Sequence, residues 1–291
     1  MTTCPTLRLG PGHEMPQLGY GVFLVPPEET RGAVGAALAC GYRAVDTARA
    51  YFNEAAVGQA LRESGLARDE VHVTTKLFNL DQGYDRTLRA CEASLAALVL
   101  GQLDLYLIHW PAPAQDRYVE SWKAMVRLSD EGRVRAIGVS NFQPDHLRRL
   151  ADEVGVLPAL NQVELHPRLQ QRSVRAVHDE LGILTQSWSP LGRGSLLGDP
   201  VLVRLAQECR RTPAQVALRW QVQQGIALIP KSVHRERMAE NAAVFDFALS
   251  DEQMARLDAL DRGERVGPDP DSSADMATLS DRYADRWPPV P

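Results

Sequence analysis

Lysine is nearly absent from this 291-residue chain: of 32 basic residues only Lys76, Lys123 and Lys231 are lysines. Arginine serves almost wherever a plain surface cation is wanted. A lysine kept directly behind the strand-like run Val71-His72-Val73-Thr74-Thr75 therefore points to a compact ammonium that a guanidinium cannot replace. Lys231 follows a second apolar run, Ile226-Ala227-Leu228-Ile229, and invites the same reading. Cysteine is also sparse. Cys4, Cys40, Cys91 and Cys209 lack metal-site spacing, and Cys40 and Cys91 fall on apolar helix faces, so they read as buried thiols and not as a disulfide. The seven histidines form no H-E-x-x-H pair, so no metal is expected. With a net charge of -5 and no basic block, nucleic acid is not the expected partner. No run of 18 apolar residues offers a membrane span, and the N-terminus lacks a signal-peptide pattern; a cytoplasmic monomer is expected.

A dinucleotide fingerprint is missing too. Gly19-Tyr20-Gly21 is followed by Val22-Phe23-Leu24, and Gly192-Arg193-Gly194 lacks the third glycine. A doubly wound fold would ordinarily carry G-x-G-x-x-G after its first strand. Any nucleotide is held in some other way.

What is present is a repeat. Residues 6 to 16 read as a hairpin turning at Pro11-Gly12, placed to plug the bottom of a barrel, followed by a strand at 18 to 21. Helices at 28 to 40, 53 to 64, 84 to 98, 117 to 130, 144 to 153 and 172 to 181 alternate with strands at 42 to 46, 71 to 76, 103 to 109, 134 to 139, 159 to 164 and 183 to 188. Helices within 200 to 224 lead to a last strand at 226 to 230. Eight strand signals alternating with amphipathic helices favour a (β/α)8 TIM barrel over an open sheet. One domain spanning 1 to 275 suits the length. Helices are expected at 236 to 244 and 250 to 260, the second with Ser250 as N-cap and Gln253 at the capping-box position. Residues 263 to 275 read as extended loop. The tail, 276 to 291, is docked or disordered, with Trp287 favouring docking.

Asp46, Lys76 and His109 sit at strand C-terminal ends, and Tyr51 follows just after one of them. In a closed barrel those ends share one mouth, so a carboxylate, an ammonium, an imidazole and a phenol are brought together from distant sequence. Each has a bland account. Asp46 could cap a turn, Tyr51 line a rim, Lys76 snorkel and His109 be a satisfied structural imidazole; four coincidences at strand ends favour the joint reading.

Ordered motifs add a resemblance. They are Gly41-Tyr42-Arg43-Ala44-Val45-Asp46-Thr47-Ala48 with Tyr51 and Asn53-Glu54; Leu107-Ile108-His109-Trp110-Pro111; Ile137-Gly138-Val139-Ser140-Asn141-Phe142; Asn161-Gln162-Val163-Glu164-Leu165-His166-Pro167; Ser189-Pro190-Leu191-Gly192; and Ile229-Pro230-Lys231-Ser232-Val233. From about residue 6 to about 275 the chain closely resembles the aldo-keto reductase family, and within it the bacterial branch that includes 2,5-diketo-D-gluconate reductases. Trp188 stands where many relatives place tyrosine, Phe78 where they commonly carry tryptophan, and Ala44 where a histidine is frequent.

The resemblance implies NADPH-dependent reduction of an aldehyde or ketone, with small carbonyls such as 2,5-diketo-D-gluconate, methylglyoxal, α-ketoesters or aromatic aldehydes as substrates. Tyr51 is then the general acid, His109 orients the carbonyl oxygen, and Lys76 paired with Asp46 is expected to favour phenolate formation. Ser140, Asn141 and Gln162 would hold the nicotinamide carboxamide and Trp188 stack on its ring. Leu191, Gly192, Arg193, Gly194 and Ser195 would cover the pyrophosphate. Lys231, Ser232 and Arg237 would surround the adenosine 2'-phosphate, whose dianion suits two cations and a hydroxyl, with Val233 a further cofactor contact and Glu240 and Asn241 at the adenine. Phe23, Phe78 and Trp110 would wall the carbonyl pocket. The competing account is a nicotinamide-binding regulatory subunit on the same fold with little turnover.

Overall fold

Alternating strand and helix signals resolve, in the computed structural model, into one ordered series; it describes residues 4–10, 12–285 and 287–288. The hairpin comes first, β1 (Thr6–Gly10) antiparallel to β2 (His13–Pro16); Pro11 of its expected turn lies outside the described residues. There follow β3 (Tyr20–Gly21), α1 (Pro27–Ala39), β4 (Ala44–Asp46), α2 (Glu54–Glu63), β5 (His72–Leu77), α3 (Tyr84–Leu98), β6 (Leu103–Ile108) and α4 (Tyr118–Asp130). Next are β7 (Val134–Ser140), α5 (Pro144–Val154), β8 (Leu160–Glu164), α6 (Arg172–Leu181), β9 (Leu184–Trp188), α7 (Pro200–Cys209), α8 (Pro213–Val222) and β10 (Ala227–Leu228). The chain ends in α9 (Arg235–Ala242), α10 (Asp251–Asp258) and α11 (Ser273–Ala284).

The strands β3 to β10 lie parallel and in sequence order. The sheet closes on itself. Leu18 bridges Leu228 in parallel, the Gly19 amide donates to the Leu228 carbonyl at 2.7 Å, and the Gly21 amide donates to that of Pro230 at 3.3 Å. A Cβ on Gly21 would stand 3.1 Å from the Ile229 carbonyl oxygen, so glycine is what lets the first and last strands approach. The (β/α)8 barrel expected from the repeat is the fold.

Two apolar layers hold it. Helix faces pack on the outward side of the strands, with Trp122, Trp220 and Phe142 fully buried there. Inside, Leu105, Leu107, Ala136, Leu160 and Ala227 meet Leu9 and Met15 of the hairpin, which closes the bottom as anticipated. Among the described residues no helix is long and apolar enough to cross a membrane.

Boundaries differ from expectation in identifiable places. β4 begins at Ala44 because Tyr42 turns outward, its hydroxyl donating to the Met238 carbonyl at 3.0 Å. Cys91 is buried, but Cys40, at the C-cap of α1, is only partly so. The loop expected over 263 to 275 ends early, since the Ser272 hydroxyl accepts from the Asp275 amide and starts α11. Among the described residues of the tail, Leu279, Arg282 and Tyr283 line the cleft at the barrel mouth and Trp287 packs beside them; residues 286 and 289 to 291 lie outside the described residues. Ser250 and Gln253 form the anticipated reciprocal cap of α10.

Candidate active site

Side-chain alternation along parallel strands delivers the site. The parity that puts Leu105 and Leu107 in the inner cluster carries on to His109 just past the end of β6. Leu160 in the same cluster leads by twos to Gln162, and partly buried Leu184 to Gln186 and Trp188. Residues of one face thus surface in turn at the mouth. Tyr51 arrives differently, on a 3-10 turn, Arg49–Tyr51, that follows β4.

Lys76 is fully buried and its Nζ donates to Asp46 Oδ1 at 2.5 Å and to the Thr47 carbonyl at 2.9 Å. It is no snorkelling cation. Its Nζ lies 5.1 Å from the centre of the Tyr51 ring, and the His109 ring stands edge-on to Tyr51 with centroids 5.6 Å apart. The other Asp46 oxygen accepts from Gln162 Nε2 at 2.8 Å. The four chemical groups predicted from strand ends therefore form one cluster.

Burial, only partly offset by the Asp46 carboxylate, pushes the Lys76 ammonium below its usual pKa. His109 is held well below the ordinary histidine value, first by burial and then by the Lys76 charge, and its Nδ1 has no hydrogen-bond partner among the described residues. The phenol departs from expectation. Lys76 was expected to ease its ionisation, yet burial, then the Asp46 carboxylate and Tyr283, hold Tyr51 well above the usual value of 10.0. Those effects outweigh the Lys76 charge while the phenol is neutral, so Tyr51 keeps its proton in the resting site.

These residues open onto a cleft of about 840 Å³. Asp46, Tyr51 and His109 line it together with Phe23, Phe78 and Trp110, while Lys76 lies beneath the floor. Ser140, Asn141, Gln162 and Trp188 line the cleft too. Ser140 Oγ donates to the Gln162 carbonyl at 2.8 Å, Asn141 Nδ2 to the His109 carbonyl at 2.9 Å, and Trp188 Nε1 to Asn141 Oδ1 at 2.8 Å. Asn141, with φ 66°, is turned left-handed, a conformation its short polar side chain tolerates.

Leu191, Arg193 and Gly194 line the cleft, but Gly192 and Ser195 do not; the Ser195 hydroxyl folds back onto the Gly192 carbonyl at 2.8 Å. Lys231, Ser232, Val233, Arg237, Glu240 and Asn241 line the cleft as well. Lys231 and Arg237 are exposed there and form no ion pair among the described residues, whereas Glu240 accepts from the Thr212 hydroxyl at 2.6 Å. The two cations are thus available to an anion.

The resemblance implies a pocket-lining role for the tail after Asp275, but the sequence names none of the residues that supply it, and residues 266 to 268 were not foreseen. Val266, Gly267 and Pro268 line the cleft, as do Leu279, Arg282 and Tyr283 of α11. Glu164, fully buried at the end of β8, fixes the first of these segments by accepting from the amides of Val266 at 2.6 Å and Gly267 at 3.0 Å. The missed signal was Met276, Leu279 and Tyr283 at helical spacing behind Ser272.

A family model described as the aldo/keto reductase family matches residues 17–262. An aldo-keto reductase of Mycolicibacterium smegmatis is 52% identical over 266 residues, covering 91% of this chain and 97% of the relative. A methylglyoxal reductase of Salmonella typhimurium is 49% identical over 270 residues, covering 92% and 98%. Among solved structures, a mutant of Gox0644 in complex with NADPH superposes with a TM-score of 0.89 at 49% identity, covering 93% of this chain and 98% of that one.

Proposed function

Since the chain belongs to the aldo/keto reductase family, we propose that it reduces small aldehydes and ketones to alcohols with NADPH, using Tyr51 as the proton donor. The observation that carries this reading is the buried Lys76–Asp46 pair set 5.1 Å from the Tyr51 ring centre, measured at Lys76 Nζ, with His109 beside it.

NADP(H) fits the remaining cleft. Lys231 and Arg237, which form no ion pair among the described residues, suit with Ser232 a phosphate dianion better than a ribose diol. Ser140, Asn141 and Gln162 offer an amide-binding set, and the indole of Trp188, fixed in plane by its bond to Asn141, offers one face to a flat ring. Leu191, Arg193 and Gly194 line the cleft where they can cover a pyrophosphate, and Glu240 and Asn241 line it where they can meet an adenine. When bound, the cofactor supplies a hydride to the carbonyl carbon.

The protein's own groups handle the oxygen. A neutral His109 hydrogen-bonds the carbonyl and orients it where negative charge grows. Tyr51, kept protonated by its surroundings, gives its hydroxyl proton to that oxygen, completing the alcohol and leaving a phenolate. Lys76 then matters most, because its charge stabilises the phenolate until solvent returns the proton. Phe23, Phe78 and Trp110 exclude water from the reacting pair, and their aromatic surface suits a compact carbonyl with an apolar flank. The similar Salmonella protein is named a methylglyoxal reductase, which places that ketoaldehyde first among test substrates.

The test is NADPH binding by fluorescence quenching followed by loss of absorbance at the nicotinamide band with methylglyoxal, aromatic aldehydes, α-ketoesters and 2,5-diketo-D-gluconate. Oxidation with at least one carbonyl is expected. Tight binding without turnover on the whole panel would replace this reading with a regulatory one.

A further inference from the structure

Beside the catalytic cluster lies a second buried ion pair that the chemistry does not use. Arg49 Nε donates to Asp81 Oδ2 at 2.7 Å, with the two side chains only 8% and 4% exposed. The pair joins two site-bearing segments: Arg49 opens the turn that ends at Tyr51, and Asp81 closes the turn that follows Phe78. Both groups also reach the end of the chain. The second Asp81 oxygen accepts from Trp287 Nε1 at 3.0 Å, and Arg49 Nη2 donates to the Pro288 carbonyl at 3.0 Å. The guanidinium lies 5.5 Å from the Trp287 ring centre, within cation–π range.

Trp287 seated in this way is packed on the pocket wall. Its ring lies 4.9 Å from Phe78, and Tyr283, one turn back, meets Phe78 edge-on at 5.2 Å. Asn79 Nδ2 adds a bond to Ser280 Oγ at 3.3 Å. Helix α11, which brings Leu279 and Tyr283 to the cleft, is therefore held at its far end through one carboxylate and one guanidinium. A buried pair whose remaining valences are filled by the tail is far better satisfied with the tail seated than without it.

We propose that Arg49 and Asp81 are positioning residues that clasp the C-terminal segment and thereby set which carbonyl substrates the pocket accepts; the selectivity part rests on the reductase reading. The clasp acts on the outer wall, not on proton transfer. An aromatic aldehyde, which must lie against Tyr283 and Leu279, depends on it. Methylglyoxal, held mainly by Tyr51 and His109, does not.

Two variants of the full chain test this. Trp287→Phe keeps a ring but removes the N–H, and Asp81→Asn keeps the shape but removes the charge. Each is expected to raise KM for 4-nitrobenzaldehyde by about fivefold or more, the scale of one lost hydrogen bond, while kcat, KM for methylglyoxal and NADPH affinity stay as in the parent. In parallel, trypsin cleavage after Arg282, read by mass spectrometry, is expected to accelerate in both variants because local opening of α11 becomes easier. Equal KM changes for both substrates, or a fall in kcat alone, would overturn the selectivity role, and unchanged cleavage would overturn the clasp. If the parent protein oxidises NADPH with no carbonyl, the reductase reading and the selectivity role fall together, and cleavage rates alone decide whether the clasp exists.

Discussion

Lys76 and Asp46 were legible as single residues because a chain so poor in lysine keeps one directly behind a strand, with a carboxylate at the end of the neighbouring strand. Their burial was not, since it comes from the whole barrel closing over them. Removing the ammonium by Lys76→Met leaves a desolvated carboxylate with Gln162 as its only side-chain partner of the original two. A loss of about 3–5 kcal/mol is expected from breaking such a pair, measured by urea denaturation, together with loss of turnover. Tyr51→Phe is expected to abolish turnover while NADPH affinity, read by fluorescence titration, holds. The directions of the pKa shifts also make a prediction. Tyr51 is held above 10.0 and His109 well below 6.5; the acid stays loaded and the imidazole neutral throughout the neutral range. The profile of kcat/KM against pH is expected to show no inflection near 6.5, and one there would mean that His109 titrates as an ordinary surface histidine.

Elements were read more easily than their ends. Helices α3 and α6 have the anticipated bounds, because each stops where the chain turns left-handed, at Val99 and at Gly182, and the apolar periodicity stops with it. The stretch 263 to 275 departs from its loop signals at its close: glycine, proline and aspartate suggest loop, but a serine cap needs only the next few residues to be helical. Within that stretch Gly267 is where backbone and ring meet. A Cβ there would stand 2.4 Å from Trp188 Cη2 and 3.0 Å from Glu164 Oε2, so Gly267→Ala must displace the indole or free the strap from Glu164. Overpacking of this kind costs about 1–3 kcal/mol. The expected outcomes are a lower melting temperature by calorimetry and a weaker quenching of tryptophan emission by NADPH.

For the whole molecule, histidines that serve no chemistry contribute to acid sensitivity. His178 sits between Asn161 Nδ2 at 2.9 Å from its Nε2 and the Thr185 hydroxyl at 2.8 Å from its Nδ1. An amide donor facing Nε2 requires the neutral ring. Burial pushes both His178 and His72 down to about 4 from 6.5. Between those values the unfolded chain binds protons that the folded one refuses, so stability is whole above 6.5 and declines as pH falls towards 4. Each histidine contributes a slope of up to ~1.4 kcal/mol per pH unit. His178→Gln is expected to flatten the plot of unfolding free energy against pH over that window; an unchanged slope would show that the ring is not buried neutral. None of this was visible in the sequence, where a histidine in an amphipathic helix looks like any polar residue.

The seam between Gly19 and Leu228 carries a consequence for biosynthesis. A ribosome releases the first strand more than two hundred residues before its neighbour, an interval on the order of ten seconds or longer at ordinary elongation rates. Throughout that time the unpaired amides of Gly19 and Gly21 are open to other nascent chains. Yield in cells should therefore respond to translation speed and chaperone supply more than to the equilibrium stability of the finished ring.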